Sequence, residues 1–423
     1  MTATAAGNRP VRIPTDRYIS PAFLQLETER LWPRVWQLAC PVDQVAHSGD
    51  YYEYRCGPLS VLVVRGDDGE LRAFQNACRH RGSAICEGSG SGLTQLRCPF
   101  HGWTWNLRGA LREIPSRKQY GLTNDEVPLV EARVETWGPL VFVNCDPDAE
   151  PLAMFLDPLP AESAWARLDE FRCTAMVSIP ARCNWKTLID GFSETYHVQG
   201  IHPEMLGMCD DVNGPQVTWN RAGRLTQSYG LPSPRLGASG SVDDQYVWDH
   251  FVRVMGSRVG ADMSNPGPCP PVGEGETLRD VLARLVAELG AARGNDYSRF
   301  TVAQLLDMEQ YNLFPNLTVL VFADMVQVVR ARPGAGVSDA YMDAMSFDRF
   351  PPAHPVPRRR PFEIELDPDG ELPLGLVLNQ DLANFARSQR GMHQPGLTDL
   401  HISPVEECRI VNQHRNLEEF LGL

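Results

Sequence analysis

Two short segments constrain this chain more than any other feature. Cys78-Arg79-His80 is followed, after seventeen intervening residues, by Cys98-Pro99-Phe100-His101. Two thiolates and two imidazoles in a pair of tight loops form a four-ligand set, so the fold must bring both loops to one place. Zinc accepts two thiolates and two imidazoles, but its pairs usually read Cys-x₂₋₄-Cys and His-x₃₋₅-His. Here each loop contributes one thiolate and one imidazole. That division suits a two-iron cluster with two Cys on one iron and two His on the other; zinc stands as the alternative metal.

A second constellation lies about a hundred residues later: Asp190-Gly191-Phe192-Ser193-Glu194-Thr195-Tyr196-His197, then His202-Pro203. At a spacing of three, Glu194 and His197 share one helical face. His197 and His202, five apart, would point about 140° from each other on an unbroken helix. Pro203 resolves this, because the residue before a proline is pushed out of helical geometry. The helix therefore ends before His202, and its imidazole can turn back toward His197. Two imidazoles plus one carboxylate make the facial triad of non-haem iron(II) sites, with coordination positions left open. Asp190 and Asp381 are both candidates for the carboxylate. Read locally, Trp185 and Tyr196 are core residues and Lys186 is a solvated helix residue.

The text CRHRG with CPFHGW, the His197/His202 segment and a late Gln380-Asp381 helix together resemble the Rieske non-haem iron (ring-hydroxylating) oxygenases, from about Pro21 to Leu421. The resemblance implies a [2Fe–2S] cluster on Cys78, His80, Cys98 and His101. It also implies a mononuclear Fe(II) on His197, His202 and Asp381, with Glu194 as the bridge by which electrons reach His197 from the cluster of a neighbouring subunit. Respiratory-type Rieske proteins add a disulfide between the two loops; the matching positions here are Ser83 and Phe100. The bridging position is commonly Asp in the family, and Asp190-Gly191 is often Glu-Asn. By the same resemblance, Glu at the bridge occurs in a subgroup acting on quaternary-ammonium compounds as well as elsewhere in the family.

The expected fold class is α+β: an N-terminal all-β Rieske domain, then a helix-grip catalytic domain with an antiparallel sheet. Residues 1–45 form a helical segment opening at Ser20-Pro21 and closing at Pro33. Residues 46–160 form the Rieske domain and a linker, Pro147 to Pro160, rich in Pro and acidic residues. Within it, Leu59–Arg65 and Leu71–Asn76 flank Asp67-Asp68-Gly69 as a hairpin, Leu107 to Leu111 turns a second one, and Trp137–Val143 is a strand. Residues 161–423 form the catalytic domain, with strands at Thr174–Ala181, Gln216–Tyr229, Leu317–Arg332 and Ala340–Phe350. Its helices are expected at Trp185–Gln199, Asn379–Arg390 and Glu406–Phe420. Residues 231–299 are an insertion or cap around an amphipathic helix, Thr277–Ala292. Phe192, Met205, Leu206, Leu313–Phe322 and Tyr341–Phe347 are candidate pocket walls.

A net charge of −14 argues against nucleic acid or an anionic membrane as partner. No run approaches the roughly 18 apolar residues of a membrane span, and Met1 to Pro14 lacks the apolar segment of a secretory signal. Eleven scattered cysteines suit reduced thiols in the cytoplasm rather than a secreted disulfide framework. The resemblance implies an oxidoreductase using O2 and electrons from an NAD(P)H-dependent flavin reductase, directly or through a ferredoxin. It would work as a homotrimer or with a small β subunit. The expected reaction is hydroxylation, cis-dihydroxylation or oxidative dealkylation of a small aromatic or apolar substrate, as in aromatic hydrocarbon catabolism. N-demethylation of a quaternary-ammonium compound is the alternative, and a non-catalytic Rieske electron-transfer or ligand-binding protein is another.

Overall fold

Leu59–Arg65 reads as a continuous apolar run, and the computed structural model shows a strand buried on both faces. Val61 and Val63 enter the large core, while Leu62 and Val64 enter a separate cluster with Phe74, Cys78, Cys98, Trp103 and Trp105. The alternation of a pleated strand thus builds two cores from one run. The structure describes residues 9–236, 242–351, 358–366 and 376–423.

After the helix Pro21–Arg30, the stretch from Gln37 to Asn144 is built mainly of β-strands. An antiparallel sheet runs in the order Gln37–Pro41, Leu140–Asn144, Glu131–Trp137, Leu71–Gln75, Leu59–Arg65, Tyr51–Cys56 and Ser89–Gly90. A smaller sheet of Leu96–Arg97, Thr104–Trp105 and Leu111–Glu113 lies beside it. Gly69 and Gly109 turn the two hairpins at positive φ, which glycine adopts without steric cost. The Trp137–Val143 strand is in fact two strands, Glu131–Trp137 and Leu140–Asn144, because Gly138 at φ 55° reverses the chain.

Beyond it, a second sheet runs Cys209–Asp210, Ala222–Tyr229, Met308–Leu313, Leu317–Val321, Met325–Pro333, Ala340–Arg349, Phe171–Ala181 and Phe362–Glu365. It is antiparallel except for its last pairing. Leu317–Arg332 is split by a turn at Phe322 to Asp324, and Gln216–Tyr229 by one at Trp219 to Arg221. Helices Trp185–Gly191 and Leu376–Met392 pack on each other and on this sheet, while Cys408–Leu421 packs on its Gln216–Thr218 and Ala222–Tyr229 edge. The α+β class stands as expected.

Three local readings are corrected by tertiary packing. The Pro147 to Pro160 stretch carries short helices whose Leu152, Phe155, Leu156 and Leu159 are buried in the main core. Tyr196 is exposed, not core. Lys186 is buried, with its ammonium 2.5 Å from Glu27 of the helix Pro21–Arg30. Glu27 also accepts the Trp185 indole N–H at 3.1 Å. Burial pushes Lys186 down and Glu27 up, while their mutual attraction opposes both shifts.

The stretch 231–299 holds helices Asp244–Met255 and Leu278–Ala292. Thr277 caps the second through a reciprocal bond with Asp280. Both helices pack with Val198, Met205 and Met208 into a second apolar core. No helix among the described residues is long and apolar enough to cross a membrane.

Candidate metal centres

The two Cys/His loops repeat one backbone design. Cys78 N–H donates to Ser83 O at 2.8 Å, and Gly82 N–H to Cys78 O at 2.9 Å. Cys98 N–H donates to Trp103 O at 2.8 Å, and Gly102 N–H to Cys98 O at 3.0 Å. Each loop closes on a glycine at φ 73° or 74°, so neither tolerates a side chain there without strain. The backbone N–H groups of His80 and Arg81 point at the Cys78 sulfur, and those of Phe100 and His101 at Cys98. Burial raises the Cys98 thiol, but these donors, Cys78 and Ser83 outweigh it and lower its pKa.

His80 and His101 meet edge to face with ring centroids 4.6 Å apart, and His80 stacks on Trp103 at 5.2 Å. Nδ1 of His80 is buried and has no partner among the described residues, an orphaned polar atom that a bound metal would satisfy. Two thiols, two imidazoles and sulfur-directed N–H groups fit a [2Fe–2S] cluster of mixed ligation. Outside the pair, Arg81 reaches His101 Nε2 at 2.7 Å and lies over the exposed Phe100 ring at 4.7 Å. All eleven cysteines are free.

The second site forms where a helix is interrupted. Asn184 caps Trp185–Gly191, and the chain then unwinds instead of continuing to Gln199. Three side chains from neighbouring strands converge on the freed Phe192 carbonyl: Gln310 at 2.5 Å, Asn312 at 2.9 Å and Thr318 at 3.2 Å. A second short helix, Val198–Ile201, ends at His202. Glu194 and His197 therefore share a turn rather than a helical face. One Glu194 oxygen accepts the His197 backbone N–H at 2.9 Å, and the other lies 2.6 Å from His197 Nδ1.

The structure brings His197, His202 and Asp381 together, with one potential ligand atom of each within 4.8 Å of the others. Asp381 Oδ1 is 3.0 Å from His202 Nε2 and 3.9 Å from His197 Nε2. Burial opposes protonation of His202, but the Asp381 hydrogen bond and charge prevail and raise its pKa. Each Nδ1 is held from behind, His197 by Glu194 and His202 by Gln380 Oε1 at 2.7 Å. That fixes both rings with Nε2 toward the centre, the support a metal-bound imidazole requires. The donor set fits a two-histidine, one-carboxylate iron site.

Asp190 is placed elsewhere. It accepts the Tyr18 hydroxyl at 2.6 Å, and Tyr18 in turn meets His414 Nε2 at 2.8 Å. Gln389, about two turns along the helix from Asp381, accepts Asn184 N–H at 2.9 Å and donates to Tyr18 O at 3.1 Å. Sequence reasoning missed Gln389, Tyr18 and the Phe192 anchors, since nothing local marks a long-range hydrogen bond. Of the candidate walls, Phe192 lies 5.8 Å from Phe385, and Met205 and Leu206 join the second core. Tyr341 instead lines a cleft of about 530 Å³ with Pro21, Leu24 and Arg332, which includes none of the iron-site residues.

Together these features define a protein with a cluster-binding β domain and a mononuclear metal site on a helix-gripped sheet. The Rieske [2Fe-2S] domain family matches residues 35–137, and the ring hydroxylating alpha subunit (catalytic domain) family matches residues 168–422. The chain belongs to the ring-hydroxylating oxygenase alpha subunits, the Rieske non-haem iron oxidoreductases, whose cofactors are a Rieske cluster and a mononuclear iron.

Carnitine monooxygenase oxygenase subunit of Escherichia coli (strain K12) is 29% identical over 225 residues, 52% of this chain and 59% of that protein. Biphenyl 2,3-dioxygenase subunit alpha of Rhodococcus jostii (strain RHA1) is 32% identical over 204 residues, 46% of this chain and 44% of that one. The chain spans about half the length of the curated relatives it matches. A solved quaternary ammonium Rieske monooxygenase shares the fold, with a TM-score of 0.69 at 16% identity over 98% of this chain and 97% of that one.

Proposed function

We propose that this protein is the oxygenase component of a Rieske system. It takes electrons from an NAD(P)H-dependent flavin reductase, directly or through a ferredoxin, and uses O2 to hydroxylate, cis-dihydroxylate or oxidatively dealkylate a small organic substrate. The observation that carries this reading is the convergence of His197, His202 and Asp381 in a chain that also holds the two Cys/His loops. In this reading Cys78, His80, Cys98 and His101 hold the cluster, and His197, His202 and Asp381 hold the iron. Held there, the cluster would supply single electrons and the iron would supply the chemistry of dioxygen activation.

The chain's own work is orientation. Glu194 and Gln380 accept the Nδ1 protons of His197 and His202, leaving each Nε2 lone pair free for the metal. Asp381 sets its carboxylate between the two rings, and Gln389 locks the helix that carries it to the helix before His197.

Electron transfer is proposed to run from the His80–His101 edge of one subunit to Glu194 and His197 of the next, in a homotrimer with or without a small β subunit. Support comes from charge: exposed Arg79, Arg81, Arg97 and Lys118 lie around the loops in a chain of net charge −14. Exposed Tyr196, between Glu194 and His197, marks the receiving face. The similar quaternary ammonium monooxygenase is itself described as using inter-subunit electron transfer. The cytoplasm, where eleven free thiols stay reduced, is the proposed location.

An aromatic or apolar substrate suits the Phe192–Phe385 pair and the apolar core around Val198, Met205 and Met208. A second reading, N-dealkylation of a quaternary-ammonium compound, is favoured by Glu194 at the bridge and by the likeness to carnitine monooxygenase. Oxygen uptake with a matched reductase, across an aromatic panel and a quaternary-ammonium panel, separates the two. Uptake that needs both substrate and reductant supports the oxygenase. A reducible cluster with no uptake on either panel points to an electron-transfer or ligand-binding protein.

A further inference from the structure

Arg409, the second residue of the helix Cys408–Leu421, is only 3% exposed. All three guanidinium nitrogens are buried without an acceptor among the described residues. A guanidinium keeps its charge in proteins and presents five rigid donors. Glu407, just ahead of the helix, turns its carboxylate to the Ser403 N–H at 2.7 Å. Glu194, the other carboxylate whose charge Arg409 feels, has both oxygens engaged with His197.

The helix packs on the strands Gln216–Thr218 and Ala222–Tyr229. The Arg409 stem crosses the second strand at Gly223, where a Cβ would stand 2.9 Å from its Cγ and 3.2 Å from its Cδ. A glycine in a strand interior often marks such a close approach. Gly223 pairs with Asn312, and Asn312 with Thr318. Directly paired residues share one sheet face, about 5 Å apart. The stem therefore lies on the face where Asn312 and Thr318 hold Phe192 O. Asn312 Nδ2 also reaches Ser193 Oγ at 3.2 Å, in the turn that leads to His197. Asn312 Oδ1 is buried and has no partner among the described residues.

Unused donors on a fixed positive charge and an unused acceptor thus share one sheet face beside the proposed iron site. Water would satisfy the hydrogen bonds but leave the charge unanswered, and buried charges are normally paired. The guanidinium fork matches a carboxylate through two parallel bonds. The first turn of the helix, which has no side-chain cap, favours the same charge through its N–H groups and dipole. We propose that Arg409 receives the carboxylate of the substrate, which is therefore an organic acid. Calling that acid a substrate rests on the oxygenase reading above; the binding of its carboxylate does not.

Calorimetric titration of the holoenzyme with matched pairs tests this: benzoate against benzamide, and a trimethylammonio carboxylate against the corresponding alcohol. In the parent, at least one acid should bind about tenfold or more tightly than its carboxylate-free partner. Arg409→Met and Arg409→Gln should abolish that preference while the partner's affinity and the cluster spectrum stay unchanged. Arg409→Lys should keep part of the preference, because it retains the charge without the fork.

No preference for either acid in the parent overturns the proposal. So does a preference that survives in both the Met and Gln variants, or a loss of both members of a pair alike in both. Chloride binding as tightly as the acids also overturns it, since the site would then take any small anion. An Arg409-dependent acid preference in a protein without substrate-dependent oxygen uptake would uphold the carboxylate site and remove the oxygenase reading.

Discussion

Gln380 Oε1 stands 2.7 Å from Nδ1 of His202, on the opposite side of the ring from Asp381. Adjacent residues of one helix thus grip both nitrogens of a single imidazole, one as support and one across the proposed metal position. Gln380→Leu removes the support and frees the ring to choose its tautomer. Mononuclear iron affinity should fall about 10–100-fold, while the cluster spectrum stays unchanged. Iron titration of stripped protein checks it.

Asp381→Ala removes the carboxylate of the proposed triad. Mononuclear iron should be lost on purification and oxygen uptake with it, with the cluster signal intact. Iron analysis beside the cluster spectrum measures both. Unchanged iron would mean that another residue completes the site; Asp190, whose Oδ2 accepts the Tyr18 hydroxyl while its buried Oδ1 has no partner among the described residues, is the one to substitute next.

Residues that announce themselves by chemistry were legible in the sequence, the Cys/His loops and the broken His197/His202 segment, whereas the Gln380-Asp381 helix was pointed to only by the family resemblance. The Pro203 argument works because its cause is local. Tyr196 and Lys186 were misread because their placement depends on what packs against them. Lys186 meets Glu27 across 159 residues of chain, and no periodicity encodes that. Helix Trp185–Gly191 stops early for the same reason, since Gln310, Asn312 and Thr318 capture Phe192 O from strands over a hundred residues away.

The Lys186–Glu27 pair should behave as a buried ion pair. Removing either partner alone, by Lys186→Met or Glu27→Gln, leaves a polar group stranded and should cost about 3–5 kcal/mol. Replacing both with apolar residues, Lys186→Met with Glu27→Leu, should recover most of that loss. Urea unfolding of the three variants measures it; a double variant as unstable as the sum of the singles would contradict the coupling.

Asp343 gives the stability a defined acid limb. Burial alone would raise its carboxyl, but Arg330 at 2.8 Å and Arg332 at 2.5 Å overcome this and hold it well below the usual carboxylate range. Its contribution is therefore fully present above the unfolded value of about 3.9. It is lost as pH falls from there through the lower folded pKa. Asp343→Asn should be less stable at neutral pH by about 3–5 kcal/mol, and its stability should fall less steeply in acid. Denaturation midpoints across acidic pH check the slope.

The most direct measurement is an iron count on anaerobically purified protein with its low-temperature EPR spectrum after reduction. About three irons per chain with a Rieske signal is the expected result, two in the cluster and one at His197, His202 and Asp381. Zinc without a visible chromophore, or about two irons that stay at two after Fe(II) reconstitution, would contradict a chain built around two iron centres.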